Sequence, residues 1–427
     1  MILNHTNLKG DGGMKSNHVP VRMIKINNMC VLLPIFIIAI ILSGGCTDSQ
    51  AVSENDNRAG ETIDFSSGGI DYDVDGLEMS VRAKKILKML IDLSNDDKPG
   101  VIVGQNCGHG SQICDPSNTL MGYQSLVEDL NTATGKYVGI LGVDYEHDQI
   151  FTPEELSQCN KTLINYWNNG GLITINWSPH NPWLNDESDI AYNHGVWTDT
   201  RNKGDNLKNV DLTKLVDPDD PIRAVWLKKL DRIAEALREL RRAGVIVLWR
   251  PMQEMNGNWF WWGYTKNPNN PDAYKDIFID MYNYFTDIKG LDNLIWVYSP
   301  STHGARSFSW AYPGDSYVNV AATTAYGDGL TIRSYEEMST FNRPIVMAEY
   351  GGAYIPAPSQ SGAFDNRKYI QTIQDFYPKV AYFVCWHNWD NGGENYVYHS
   401  ISKNQFGREL MNNSDIITRE KLNWKSY

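Results

Sequence analysis

Val245-Ile246-Val247-Leu248-Trp249-Arg250-Pro251-Met252-Gln253-Glu254 is the stretch that decides the fold. Its first four residues are a short apolar run behind the breaker Gly244, the pattern of a strand buried on both faces. Residues 221–242, just before it, are strongly amphipathic at helical spacing. Arg250, Gln253 and Glu254 then crowd the end of the strand, and Trp259-Phe260-Trp261-Trp262 follows. A carboxyl packed among rings is poorly solvated when ionised, so its pKa rises and it can give up a proton near neutral pH. Exposed rings also offer flat faces for stacking. The plainer alternative is a core of tryptophans around a hydrogen-bonded structural glutamate. A second carboxyl in the right place would decide between the two.

Outward from this stretch the chain alternates. Upstream, residues 79–93 have helical spacing, and residues 101–103 are a strand ending at Gly104-Gln105-Asn106. Residues 122–131 are helical, and 138–141 form a second strand ending at Asp144-Tyr145-Glu146. Residues 153–168 are a helix, with Thr152 as its N-cap and Glu155 at the capping-box position. Residues 172–175 are the third strand, ending in Trp177-Ser178-Pro179-His180-Asn181-Pro182, and a long loop passes through Trp197. Downstream come a helix over 271–288 and strands over 294–297, 317–323 and 345–348, the last ending at Glu349. A helix over 366–376 leads to an eighth strand over 380–385, ending at Trp386. Short apolar strands alternating with helices read as parallel strands covered on both sides. Eight of them predict an α/β fold, a single (β/α)8 TIM barrel spanning residues 77–427.

In such a barrel the functional groups stand at the C-terminal ends of the strands. His180, Arg250, Gln253, Glu254, Tyr326, Glu349 and Trp386 all fall there. Glu254 ends the fourth strand and Glu349 the seventh, on facing sides of the barrel mouth.

Length alone, 427 residues, admits one large domain or two to three smaller ones. The net charge of −13 argues against a nucleic acid or an anionic membrane surface as partner and suits a neutral polymer. Residues 31–42 are apolar and short for a membrane span, with Arg22 and Lys25 before them and Ser43-Gly44-Gly45-Cys46 after. This resembles a lipoprotein export signal over residues 1–46, with Cys46 as the lipid-bearing residue. Ser43 stands where such signals usually carry Leu, and plain secretion is the alternative. Either way the expectation is an extracellular or cell-surface protein that meets the membrane only through an N-terminal lipid. Residues 47–76, acidic and rich in Ser, Gly, Asp and Asn, read as a flexible tether. Cys107 and Cys114 are close enough to pair in an exported protein, whereas Cys159 and Cys385 read as lone buried thiols. Asp144-Tyr145-Glu146-His147-Asp148 has no metal-ligand spacing and reads as polar residues at a strand end, so no metal is expected.

Trp249-Arg250-Pro251-x-x-Glu254-Met255-Asn256-Gly257-x-Trp259-x-Trp261-Trp262-Gly263 resembles the acid/base motif of glycoside hydrolase family 26. Pro344-Ile345-Val346-Met347-Ala348-Glu349-Tyr350-Gly351 resembles its nucleophile motif. Tyr312-Pro313-Gly314-Asp315 and the strand leading to Tyr326, with Gly104-Gln105, Asp144-Tyr145 and Ile416-Ile417-Thr418-Arg419, extend the likeness over residues 79–427. The resemblance implies a retaining glycoside hydrolase with no cofactor, a polysaccharide as partner and a monomeric state. It implies Glu254 as acid/base, Glu349 as nucleophile, Tyr326 and Arg250 as supports of Glu349, and His180 and Trp386 lining the −1 sugar site. Trp259 is expected among the sugar contacts. Endo-β-1,4-mannan cleavage is the leading expectation, and the same chemistry on mixed-linkage β-glucan or β-1,3-xylan is the alternative. A non-catalytic carbohydrate-binding barrel is the rival of another class, although it would have no use for both carboxyls. Gln253 departs from the His usual before the acid/base in mannanases. Gln can donate a hydrogen bond but does not titrate, which leaves the sugar preference open.

Overall fold

The computed structural model describes residues 81–95, 98–147, 149–184, 195–198, 209–352, 361–392 and 395–427. The export segment with Cys46, the tether and Asp148 lie outside the described residues.

Helix α1 (Val81–Leu93) buries one apolar face and leads to β1 (Val101–His109). Then come α2 (Asp129–Thr134), β2 (Ile140–Asp144), α3 (Pro153–Asn168) and β3 (Leu172–Trp177). Next are α4 (Pro221–Arg242), β4 (Val247–Pro251), α5 (Asp272–Asn283), β5 (Leu294–Tyr298) and β6 (Val320–Tyr326). The barrel ends with α6 (Tyr335–Met338), β7 (Ile345–Gly351), α7 (Arg367–Phe376) and β8 (Val380–Cys385). Strands β1 to β8 pair in chain order, all parallel, and β8 closes on β1. A small hairpin of β9 (Trp389–Asp390) and β10 (Tyr396–Val397) follows β8. After α8 (Gly407–Met411), β11 (Ile416–Ile417) adds to the start of β1.

The helix starts have visible causes. Thr152 and Glu155 form the reciprocal capping box of α3 with Pro153 in its first turn, and Asp220 caps α4 through the Ile222 amide at 3.0 Å. Strands β1 to β8 are buried along almost their whole length, because helices cover the outside and side chains fill the inside.

Three sequence expectations need correction. Strand β1 runs on to His109 instead of stopping after Val103. Its polar residues stay in the barrel because they are satisfied there: Gln105 Nε2 donates to the Trp386 carbonyl at 3.0 Å, and Gln105 Oε1 accepts from the Ile401 amide at 3.0 Å. Cys107 is therefore a buried strand residue. It and Cys114 are both free thiols, with Cys114 in a 3-10 turn beside Thr162. Strand β6 begins at Val320 rather than at 317. Cys159 and Cys385 are free and buried, as expected.

Candidate active site

Strand β4 delivers Arg250 and Pro251, and the chain then leaves the sheet by a tight zigzag. The Met252 amide donates to the Trp177 carbonyl at 2.9 Å on the β3 side, and the Glu254 amide to the Ser299 carbonyl at 2.8 Å on the β5 side. Met252 and Glu254 both have left-handed backbone angles, φ 48° and 58°. Non-glycine residues rarely adopt this region, and each costs about 1–3 kcal/mol. Two such residues flanking Gln253 mark a turn over-determined by its neighbours, and its result is to aim Glu254 across the barrel mouth.

The register of the sheet supplies the partners. Asn176 of β3 stands opposite Arg250 and accepts from its Nε at 2.6 Å. Arg250 Nη1 reaches Ser299 Oγ at 3.3 Å, and Nη2 donates to Glu349 Oε1 at 2.5 Å. On the far side, an irregularity in the β6–β7 pairing between Thr323 and Thr324 sets Thr324 opposite Glu349. Such bulges re-aim side chains beside functional sites. Tyr326, at the end of β6, donates its hydroxyl to Glu349 Oε2 at 2.6 Å. Each oxygen of Glu349 thus accepts a bond, one of them from a buried cation; this is the pattern of an ionised carboxylate.

Glu254 has different company. Its Oε2 accepts from Trp259 Nε1 at 2.6 Å and its Oε1 from the Thr324 hydroxyl, both neutral donors. Burial, and then the nearby charge of Glu349, push its pKa up to about 7, against the opposing pull of Thr324, Arg250 and Trp259. The arrangement sets a carboxyl paired with a guanidinium and a carboxyl that keeps its proton toward neutral pH on facing sides of the barrel mouth.

The other expected residues surround this pair. Trp386 directly follows β8, with its ring centroid 5.9 Å from the Arg250 guanidinium carbon. His180 is buried, and its Nε2–H donates to the His147 carbonyl at 3.0 Å. Burial lowers its pKa to about 3, so the ring is neutral with its lone pair on Nδ1. Gln253 does not bond Glu349. Its Nε2 donates to Ser178 Oγ at 2.8 Å, and Ser178 Oγ donates to Asp144 Oδ2 at 2.7 Å. Asp144 is wholly buried at the end of β2, and burial pushes its carboxyl up to about 7.

The ring run divides. Trp259 keeps an exposed edge, but Phe260, Trp261 and Trp262 are buried and follow the core alternative rather than serving as stacking platforms. Trp261 and Trp262 tie their indole N–H groups to the carbonyls of Pro179 and Gln253, both at 2.7 Å. They brace the loop that carries Glu254. Sequence reasoning missed Asn176, Ser178, Ser299 and Thr324 as partners of the site. Asn176 and Ser178 stand at a strand end beside residues already singled out, which was the available signal; nothing in the sequence pointed to Thr324. Among the described residues no group of three or more His, Cys, Asp or Glu side chains is arranged to hold a metal.

The family model for glycosyl hydrolase family 26 matches residues 78–415. Mannan endo-1,4-beta-mannosidase A and B from Caldalkalibacillus mannanilyticus is 32% identical over 378 residues, 85% of this chain and 66% of that protein. Mannan endo-1,4-beta-mannosidase from Bacillus subtilis is 34% identical over 285 residues, 63% of this chain and 73% of that protein. The solved structure of Bacillus subtilis mannanase man26 superposes with a TM-score of 0.63 at 29% identity, covering 81% of this chain and 94% of that one. Two carboxyls at the ends of β4 and β7 of a closed parallel barrel, together with a match over most of the sequence, lead to one conclusion: the chain belongs to glycosyl hydrolase family 26.

Proposed function

We propose that this protein is a retaining endo-β-1,4-mannanase in which Glu349 is the nucleophile and Glu254 the acid/base. The observation that carries the reading is the asymmetry of the pair. Glu349 faces a guanidinium and a phenol, while Glu254 has only neutral donors and a pKa raised to about 7. In the first step a Glu349 oxygen attacks the anomeric carbon as Glu254 gives its proton to the departing glycosidic oxygen. In the second, Glu254, now ionised, takes a proton from water, and that water displaces Glu349 from the sugar. Arg250 and Tyr326 hold Glu349 in place, as bonds to both of its oxygens must. Trp386 would floor the −1 sugar, with His180 beside it as a neutral acceptor.

The relatives named as mannan endo-1,4-beta-mannosidases support mannan as the substrate. Gln253, in the position where the resemblance leads one to expect His, favours testing mixed-linkage β-glucan and β-1,3-xylan beside it. The sequence around Cys46 supports export and lipid anchoring, with the enzyme acting as a monomer outside the cell. Hydrolysis of mannan, galactomannan, lichenan and β-1,3-xylan by the purified protein, with NMR of the first product, tests the reading. The expected result is preference for mannan and a β-anomeric first product. An α-anomeric first product would make the site inverting, and preference for another glycan would move the substrate.

A further inference from the structure

Outside the ring of groups already described, the loops after β4 and β5 carry a second aromatic cluster. Tyr264 and Trp310 pack edge to face with centroids 6.4 Å apart, and both keep exposed edges. The Arg306 guanidinium carbon lies 4.7 Å over the Tyr264 ring, and its Nη2 donates to the Pro268 carbonyl at 3.2 Å. Two rings and a cation at the mouth of a sugar-binding barrel suit the apolar faces and hydroxyls of a glycan.

The cluster is tied to Glu254 by the backbone. The Gly257 amide donates to the Glu254 carbonyl at 2.9 Å, and the Tyr264 amide to the Gly257 carbonyl at 3.2 Å. This path bounds the distance from the Glu254 carbonyl to the Tyr264 amide at roughly 10 Å. Buried Asn256 staples the two loops together. Its Nδ2 donates to the carbonyls of Ser301 at 2.8 Å and Arg306 at 3.0 Å, and its Oδ1 accepts from the Ser301 amide at 2.8 Å. A Cβ on Gly304 would sit 2.2 Å from Asn256 Nδ2, so only glycine lets the staple close. Trp310 is held from below: the Phe308 and Ser309 amides both donate to the Glu337 carboxylate at 2.9 Å. The surface is therefore preorganised, which spares a ligand the cost of ordering it.

Resting on the proposed roles of Glu254 and Glu349, we infer that Tyr264, Arg306 and Trp310 bind the leaving-group end of the glycan, beyond the bond being cut. The direction follows from chemistry. The departing oxygen takes its proton from Glu254, so the sugars it carries leave along the wall that holds Glu254, and the cluster stands beyond Trp259 on the loop that carries Glu254 and on the loop stapled to it.

The test uses β-1,4-mannohexaose and an aryl β-mannobioside whose small leaving group is too short to reach the cluster. For Trp310→Ala and Tyr264→Ala, kcat/KM on the hexaose, divided by that on the aryl substrate, should fall about tenfold. The conservative Trp310→Phe should recover most of the loss. Transfer of the glycosyl group to added mannose oligomers should fall in parallel, because acceptors use the same surface. A ratio equal to wild type for both alanine variants overturns the inference. Binding of the hexaose to the inactive Glu349→Ala protein, with and without Trp310→Ala, reads the surface without turnover. Weaker binding with Trp310→Ala upholds the surface even if the catalytic roles are wrong, and equal binding overturns it even if they are right.

Discussion

Glu349 and Glu254 occupy facing sides of one barrel mouth, yet their oxygens answer to different partners. Around Glu349 stand a buried guanidinium and a phenol, delivered by β4 and β6. Around Glu254 stand an indole and a hydroxyl, neither charged. The backbone differs as well. Glu349 lies inside a strand, next to the irregularity in its pairing with β6, whereas Glu254 sits at φ 58° just past the end of one. Identical side chains thus acquire different surroundings, and the one among neutral donors has its pKa raised to about 7, which is the physical basis for proposing opposite roles for them.

The largest effect should come from removing the charged member. Glu349→Ala is expected to cut kcat/KM on mannan on the order of 10⁴-fold or more, since no other group can attack the sugar. With an aryl glycoside and azide, the vacated space should accept the anion and yield an α-glycosyl azide, seen by NMR. A β-azide, or undiminished mannan hydrolysis, would remove Glu349 from the nucleophile's role.

Next comes the proton donor. Glu254→Gln should lose about 10²–10³-fold on mannan and much less on aryl glycosides whose leaving group needs no proton. In wild type, activity should fall as pH rises past about 7, because the acid works only while it holds its proton. The same shift bears on stability. The native carboxyl keeps its proton toward pH 7, while the unfolded chain loses it near the ordinary value of 4.5. Between those values the native state binds more protons, so stability declines as pH rises through the window. Glu254→Gln removes that decline, and at pH 8 its Tm should exceed wild type by a few degrees. Equal losses on both substrates, or an unchanged alkaline limb in Glu254→Gln, would break the contrast between the two carboxyls.

How far this contrast was legible in the sequence depends on the kind of information involved. Apolar runs such as Ile345-Val346-Met347-Ala348 announced the strands, and the residues just past each run announced the mouth. Arg250 and Tyr326 were expected beside Glu349 through resemblance, and the distances agree. Asn176 was signalled only by its place at a strand end and Thr324 by nothing, because their roles come from register: one faces Arg250 across β3 and β4, and the other faces Glu349 through a bulge. Polarity misled at β1, where Gln105 and Asn106 looked like a loop but are buried and hydrogen-bonded. Composition misled at Trp261 and Trp262, since a run of rings does not say which faces are covered.

A finer test adjusts Glu254 without deleting it. The Thr324 hydroxyl donates to Glu254 Oε1 and thereby favours the ionised form. Thr324→Val removes that donor at little change in volume. The alkaline limb of kcat/KM should then move to higher pH, with a loss of about threefold at pH 6 from looser positioning. A limb that moves to lower pH would show that Thr324 stabilises the protonated acid instead.

The smallest effect tests how Gln253 is oriented. Ser178 has one hydroxyl proton, and while Asp144 is ionised, above about pH 7, it goes to Asp144 Oδ2 at 2.7 Å. Toward Gln253, Ser178 can therefore only accept, which fixes the Gln253 amide with its NH2 inward at 2.8 Å. The Gln253 carbonyl oxygen is left buried with no protein partner, next to the residue proposed as acid/base. In Asp144→Asn the new amide can turn its NH2 to Ser178, and the serine proton is then released toward Gln253. The Gln253 amide must flip, so its outer edge changes from acceptor to donor. Because neither Glu254 nor Glu349 is touched, kcat on mannan should stay within about twofold, while KM should change about three- to fivefold, the scale of one hydrogen bond. Ser178→Ala should give the same KM change by removing the relay. A drop in kcat with KM unchanged would mean that Asp144 acts on the chemistry of the carboxyl pair and not on the orientation of Gln253.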